Sequence, residues 1–325
     1  MVDKNIPRII DYRREELPLS VLFSHCTVPG IDREEFHQLV HAGKVKCNGV
    51  TLTSMDTLIP RLSRNVLIDA GAQRVQWTPF DPVYFLLYKP RGVLTSCSRR
   101  NFWGESDQQL VTDFLPWNGD GKKRVAPVGR LDLDSEGLLI LTNDGSLARL
   151  LTCPRIGVRK TYRVLAKHPS AATEGDFEAL LHKDDTIGSS ESMGAFESYE
   201  VVDSCVAKVT EAANPERFVL LDIVLREGKK REIRRLLKSI GWRTMMLARR
   251  SIGPLSPKMD IPATVNDAWR RCTSENKSAR VSEGGLSPGE IRELSVLEVD
   301  ALFSDICEAS RFKDRLIEHG PLKRK

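Results

Sequence analysis

The sequence predicts an α+β protein of two domains, a small helix-and-hairpin module followed by a larger domain of strands and helices. Three observations predict it. A short amphipathic helix opening at Asp32 runs into a strand pair that turns at Asn48-Gly49. Residues 84–93, 138–141, 160–165 and 218–225 are apolar or alternating runs of strand length. Residues 230–240 carry the apolar period of a helix instead. A length of 325 residues suits two domains with a sizeable core.

In order, residues 1–16 show no period and read as an arm. Asp32 can cap the first helix, Glu34 and Glu35 suit its positive end, and Phe36, Leu39 and Val40 form its apolar face. Gly43 ends it. Asn48-Gly49 then marks a hairpin, because the tight turn needs positive φ at both central residues. Residues 76–82, with Trp77, Pro79 and Pro82, read as a linker. The strand at 84–93 is stopped by Pro90 and Gly92. Residues 98–124 read as a mobile polar loop with a helical piece near 109–114. Ser146 is expected to cap a short helix carrying Leu147, Leu150 and Leu151, closed by Pro154. A strand at 160–165, a helix at 174–182, weakly alternating strands within 184–215 and a strand at 218–225 follow. Residues 256–285 read as an inserted loop, order resumes at 286–294, and Ser295 is expected to cap a last helix reaching Leu302. The domains expected are therefore 1–76, 82–310 with that insertion, and a basic tail at 311–325.

Composition narrows the class. Apolar residues at 41% and charged residues at 29% are ordinary for a globular chain. No run approaches the roughly 18 apolar residues of a membrane helix. The first residues lack an apolar core and include Asp3, Asp11, Glu15 and Glu16, so a cytoplasmic address is expected, with an organelle left open. Seven scattered cysteines without a Cys-x-x-Cys pair read as reduced thiols. His37 and His41 lie four apart with no accompanying ligand in a known spacing, so no metal site is expected. A net charge of +5 permits nucleic-acid binding, but what decides it is where the cations cluster.

They cluster on the helix at 230–240. Ile233, Leu236, Leu237 and Ile240 share one face, and Arg231, Arg234, Arg235 and Lys238 share the other. A solvated face would mix signs, whereas here Glu232 is the only acid and lies between the stripes, so the helix reads as phosphate-facing. Upstream, Asp132 and Asp134 sit in a loop at the mouth of the buried strand 138–141. Carboxylates on a rigid edge are candidates for chemistry, and the alternative is that they cap turns.

Five stretches then share one resemblance. They are Tyr88-Lys89-Pro90-Arg91-Gly92, the run from Gly129-Arg130-Leu131-Asp132 to Asn143-Asp144-Gly145, Lys160-Thr161-Tyr162, the run from Glu227-Gly228 to Arg234-Arg235, and Ile252-Gly253-Pro254-Leu255. Together they resemble the RsuA/RluB-type RNA pseudouridine synthases, and the helix-hairpin segment ahead of them resembles the alpha-L RNA-binding module of a small-subunit ribosomal protein. The resemblance implies a catalytic domain built on a mixed, mainly antiparallel sheet. It implies isomerisation of a uridine, most of all in ribosomal RNA, with no cofactor, RNA as partner and a monomeric enzyme. It makes Asp132 the reactive carboxylate, Arg234 its cationic partner and Tyr162 the aromatic that stacks on the base. Leu247 is implied to pack beneath that ring. Arg130, Lys160, Arg231, Arg235 and Lys238 are implied to hold the substrate. An extruded uridine costs a few kcal/mol, which such backbone contacts can supply. The chain departs from the family at Glu232, where a Gln is usual, at Leu17-Pro18-Leu19-Ser20, where a basic segment is usual, and in the length of 256–285. The alternatives are an RNA-holding ribosome-assembly factor without catalysis, and the same chemistry on transfer RNA.

Overall fold

The computed structural model describes residues 13–23, 31–60, 66–70, 73–76, 81–98, 100–101, 104–105, 107–116, 125–169, 174–181, 196–207, 216–256 and 286–309. They fall into two compact units, one up to Val83 and one from Tyr84 on.

In the first unit, strand β1 (Glu16–Pro18) leads into helix α1 (Leu19–Phe23) and then helix α2 (Arg33–His41). Asp32 caps α2, its carboxylate accepting from the Glu35 N–H at 2.9 Å, as the sequence predicts. The hairpin forms between β2 (Val45–Cys47) and β3 (Val50–Leu52), with φ of 50° at Asn48 and 85° at Gly49. Strands β4 (Leu58–Pro60), β5 (Val66–Ala70) and β6 (Gln73–Gln76) complete the unit. β3, β2, β5 and β6 form an antiparallel sheet, and β4 pairs with β1. Leu17 and Leu19 are buried, so the segment that departs from the basic pattern is core. Phe23 stacks on Phe36 at 3.8 Å between ring centres.

In the second unit the strands are β7 (Tyr84–Lys89), β8 (Arg100–Asn101), β9 (Gly104–Glu105), β10 (Ala126–Pro127), β11 (Glu136–Thr142), β12 (Lys160–Pro169), β13 (Ser198–Ala207), β14 (Glu216–Leu225), β15 (Arg243–Ile252) and β16 (Ile291–Glu293). The helices are α3 (Gly145–Thr152), α4 (Glu232–Ser239) and α5 (Val296–Ala309). Among the described residues one sheet runs β13-β14-β12-β15-β11-β7-β16, with β10 added against β11. Only the β11–β15 pair in it is parallel, so the sheet is mixed and mainly antiparallel as expected. β11 is buried along its whole length, which is why its apolar run does not alternate. Gly137 is required there: a Cβ would lie 2.3 Å from the Arg249 carbonyl oxygen, and φ is +105°. Leu147, Leu150 and Leu151 of α3 and Val299, Leu302 and Ile306 of α5 pack with Leu86, Tyr88, Leu138 and Ile140 into one core. Ile233, Leu236 and Leu237 of α4 pack with Tyr162, Val164, Leu221, Ile223 and Leu247 into a second.

Several expectations are corrected. The cap of α3 is Asp144, whose carboxylate accepts from the Leu147 N–H at 2.8 Å, while Ser146 lies inside the helix. The helix expected at 174–182 is a 3-10 turn over Glu174–Leu180, and His182 lies outside the described residues. β8 and β9 pair where a loop was expected, and the helical piece is a 3-10 turn at Val111–Phe114. β15 was not expected, and it joins the two halves of the sheet. The last helix runs seven residues beyond Leu302, to Ala309. Most of the expected insertion and the basic tail lie outside the described residues.

Candidate active site

The loop between β10 and β11 is fastened at both ends. The Val128 N–H donates to Ile140 O at 2.8 Å, and the Ser135 N–H closes a turn on Asp132 O at 3.0 Å. Between these points Asp132 and Asp134 face the start of α4. Arg231 stands just ahead of that helix in the left-handed region, with φ of 52°. A residue other than glycine pays about 1 kcal/mol or more for this conformation. It shortens the expected helix by two residues at its start and carries the Arg231 side chain off the helical stripe toward the loop. Its guanidinium lies 3.7 Å from Asp132 Oδ2 and 3.4 Å from Asp134 Oδ1. Arg234, with a side chain 12% exposed, lies 3.1 Å from Asp134 Oδ2 and donates to Asp134 O and Ser135 Oγ, each at 3.3 Å. The geometry thus differs from the Arg234–Asp132 pairing read from the resemblance: Arg234 meets Asp134, and Arg231 is the arginine that reaches Asp132. Burial lowers the Arg234 pKa, and the neighbouring Asp134 opposes that.

Asp132, Ser135, Arg231 and Arg234 line a cleft of about 350 Å³, whereas Asp134 is not part of its lining; the volume is within the range of small-ligand sites. Asp132, Tyr162, Arg234, Arg130, Lys160, Arg231 and Leu247 all line it. Tyr162 and Leu247 come from β12 and β15 and belong to the same buried cluster, so the ring rests on an apolar floor. Arg130 is exposed at the mouth. Arg235 and Lys238 do not line the cleft; they lie further along α4, half-buried and exposed respectively.

Sequence reasoning missed two buried cations. Arg249 lines the cleft and donates from Nε to Leu138 O at 2.7 Å, bridging β15 to β11. Lys89 is fully buried and donates to Ser135 O at 2.7 Å and Pro90 O at 2.9 Å. The signal for Lys89 was present, a lysine ending an apolar strand at Tyr88-Lys89-Pro90. For Arg249 there was no such signal, since no strand was expected over its segment. Burial pushes Lys89 down to about 8, with Glu136, Asp134 and Asp132 pulling the other way. Burial, with Arg249 beside it, pushes Lys160 down to about 8 as well. Glu232 is buried; its Oε2 accepts from the Lys229 N–H at 2.9 Å, and burial raises its pKa. It therefore fastens the turn into α4.

Comparison with known proteins bears on what such a cleft does. The family model for RNA pseudouridylate synthase matches residues 83–239. The ribosomal large subunit pseudouridine synthase B of Bacillus subtilis is 30% identical over 231 residues, covering 71% of this chain and 83% of that protein. The chain belongs to the RNA pseudouridine synthase family. An uncharacterized RNA pseudouridine synthase of Mycobacterium leprae is 32% identical over 69% of this chain and 78% of its own length. A crystal structure of a pseudouridylate synthase superposes with a TM-score of 0.46 at 20% identity, covering 88% of this chain and 99% of that one. This synthase acts on RNA, and the matched region contains Asp132, Tyr162 and the α4 arginines. Among its described residues no helix is long and apolar enough to cross a membrane.

Proposed function

We propose that this synthase isomerises a uridine of ribosomal RNA, with Asp132 as the reactive group. The observation that carries the reading is that Asp132, Tyr162 and Leu247 line the same cleft, beside the arginines that open α4. The reaction breaks the bond between ribose C1′ and N1, turns the base, and joins C5 to C1′. C5 gives up its proton and N1 ends with one, so the product is an isomer and no redox carrier is consumed. Asp132 attacks C1′ or takes the C2′ proton, and both routes need the ionised carboxylate. The Arg231 guanidinium lies 3.7 Å from that carboxylate. Tyr162 stacks on the extruded base and assists loss of the C5 proton. Leu247 holds the ring from below. Arg130, exposed at the mouth, fills the vacated stack or holds a phosphate, and Lys160, Arg235 and Lys238 extend the cationic surface for the RNA backbone. The first unit supplies a further RNA contact. The name of the Bacillus subtilis relative supports ribosomal over transfer RNA as the substrate.

The test is incubation with unmodified ribosomal RNA and with unmodified transfer RNA, followed by chemical mapping of pseudouridine. The expected result is modification of a ribosomal uridine by the wild type and none by Asp132→Asn. Modification of transfer RNA alone would move the substrate assignment. Equal activity of Asp132→Asn and wild type would remove Asp132 from the mechanism.

A further inference from the structure

The loop that carries Asp132 has two differently built sides. Asp132 and Asp134 face the arginines of α4, while the carbonyls of Leu131, Leu133 and Ser135 are all held by the segment that leaves β7. Thr95 Oγ1 donates to Leu131 O at 2.8 Å and accepts from the Leu131 N–H at 3.4 Å. The Gly92 N–H donates to Leu133 O at 2.8 Å. Lys89 donates to Ser135 O at 2.7 Å. Three groups of one short segment thus grip every second residue of the loop, and the carboxylates occupy the positions between.

We infer that Thr95 is a positioning residue for the isomerisation, setting the Asp132 carboxylate by gripping the peptide immediately before it. This rests on the reading of Asp132 as the reactive group. Of the three, Thr95 alone serves both polar groups of one residue, so it ties together two successive peptides, the one ahead of Leu131 and the one that joins Leu131 to Asp132. Leu131 is held on its other side as well, because its own side chain is buried in the same cluster as Tyr162 and Leu247. The segment behind Thr95 is itself anchored. The Leu94 N–H donates to Gln109 O at 2.9 Å, and the Val111 N–H donates to Leu94 O at 3.0 Å. The hydroxyl holds one partly buried carbonyl, a modest part of the fold's stability, and it acts directly on the geometry of the next residue. Displacement of a reacting group by about 1 Å can cost on the order of a hundredfold in rate.

The experiment compares Thr95→Val, which keeps the shape and loses the hydroxyl, with Thr95→Ser, which keeps the hydroxyl. Each is assayed by tritium release from ribosomal RNA labelled at uridine C5, alongside thermal melting and Asp132→Asn. The expected result for Thr95→Val is a fall in kcat of roughly tenfold to a hundredfold, with KM within about twofold of wild type and a melting point lowered by only about 2–5 °C. Thr95→Ser should restore kcat to within about threefold of wild type. Wild-type kcat in Thr95→Val, or equal impairment in Thr95→Ser, overturns the inference. If Asp132→Asn is dead while Thr95→Val is fully active, only the positioning role falls. If Asp132→Asn is active, the reading beneath it falls.

Discussion

Replacing Lys89 with methionine separates stability from placement. The side chain is fully buried, and burial brings its pKa from 10.5 to about 8 despite the nearby acids. That shift is a net penalty of about 3 kcal/mol on the charged form. Methionine has a similar reach and no charge, so it removes the penalty. It also strips the donor from Ser135 O and Pro90 O, and each buried carbonyl left unpaired costs about 1–3 kcal/mol. The two effects are comparable and opposite, so at pH 7 the unfolding free energy should stay within about 2 kcal/mol of wild type. Catalysis has no such compensation, and kcat should fall at least roughly tenfold as residues 131–135 loosen. The pH dependence has a definite sign. The folded pKa lies below the unfolded one, so the penalty is fully present below about 8 and is relieved as pH rises from there to 10.5. Over that window wild type should gain about 3 kcal/mol relative to the variant. Urea unfolding of both proteins at neutral and alkaline pH, with tritium release at pH 7, measures every quantity. A loss above about 4 kcal/mol at pH 7 accompanied by wild-type kcat would refute the reasoning.

Other substitutions probe separate parts. Gly137→Ala forces a Cβ to within 2.3 Å of backbone at a positive φ, and should cost about 3 kcal/mol or more in urea unfolding. Asp134→Asn leaves Arg231 and Arg234 without their shared carboxylate; kcat should drop roughly tenfold, against complete loss in Asp132→Asn, when single-turnover rates are compared. Arg292 holds the Glu298 carboxyl down to about 2, with the Ser295 N–H adding to it. This stabilisation is present above the ordinary 4.5 and is lost as pH falls through about 2. The pair is partly exposed, so Glu298→Gln should cost only about 1 kcal/mol at pH 7 and almost nothing in acid, as read by thermal melts.

What was legible in the sequence is what local signals can carry. The Asn48-Gly49 turn, the Asp32 cap, the buried run of β11 and the two faces of α4 each depend on neighbours within one turn or one strand. β15 was not legible, because the reasons its polar residues can be buried lie far away. Arg249 donates from Nε to Leu138 O at 2.7 Å and half-buried Arg250 pairs with Asp222 at 2.9 Å. Read locally, 243–252 looks too polar to sit mid-sheet. The start of α4 was misplaced for another reason: nothing in Lys230-Arg231-Glu232 announces a left-handed arginine. At the site, the resemblance brought together Asp132, Tyr162, Arg234, Arg130, Lys160, Arg231 and Leu247, which line one cleft, and also Arg235 and Lys238, which do not. The ion pairing was not legible. Which of two arginines three apart meets which of two aspartates two apart depends on the register between a loop and a helix about a hundred residues away.

That register has a consequence for an enzyme whose substrate is a polyanion. Two uncompensated carboxylates, Asp132 in the cleft lining and Asp134 in the same loop, would repel the phosphates that must approach. Arg231 and Arg234 offset both charges, but unequally. Asp134 is held at 3.1 and 3.4 Å by two guanidiniums, whereas Asp132 has one contact at 3.7 Å. A tight bidentate pair on Asp132 would lower its energy and occupy the lone pairs that the proposed attack or proton removal requires. A looser contact keeps the charge balanced while leaving an oxygen available. On this reading Asp134 is the anchor that keeps both arginines in place, and the strained backbone at Arg231 is what lets one guanidinium reach both acids. Arg231→Gly would relieve the strain yet remove the only cation on Asp132 among the described ion pairs. It should therefore raise stability slightly while lowering kcat, an opposite movement that simple loss of packing cannot produce.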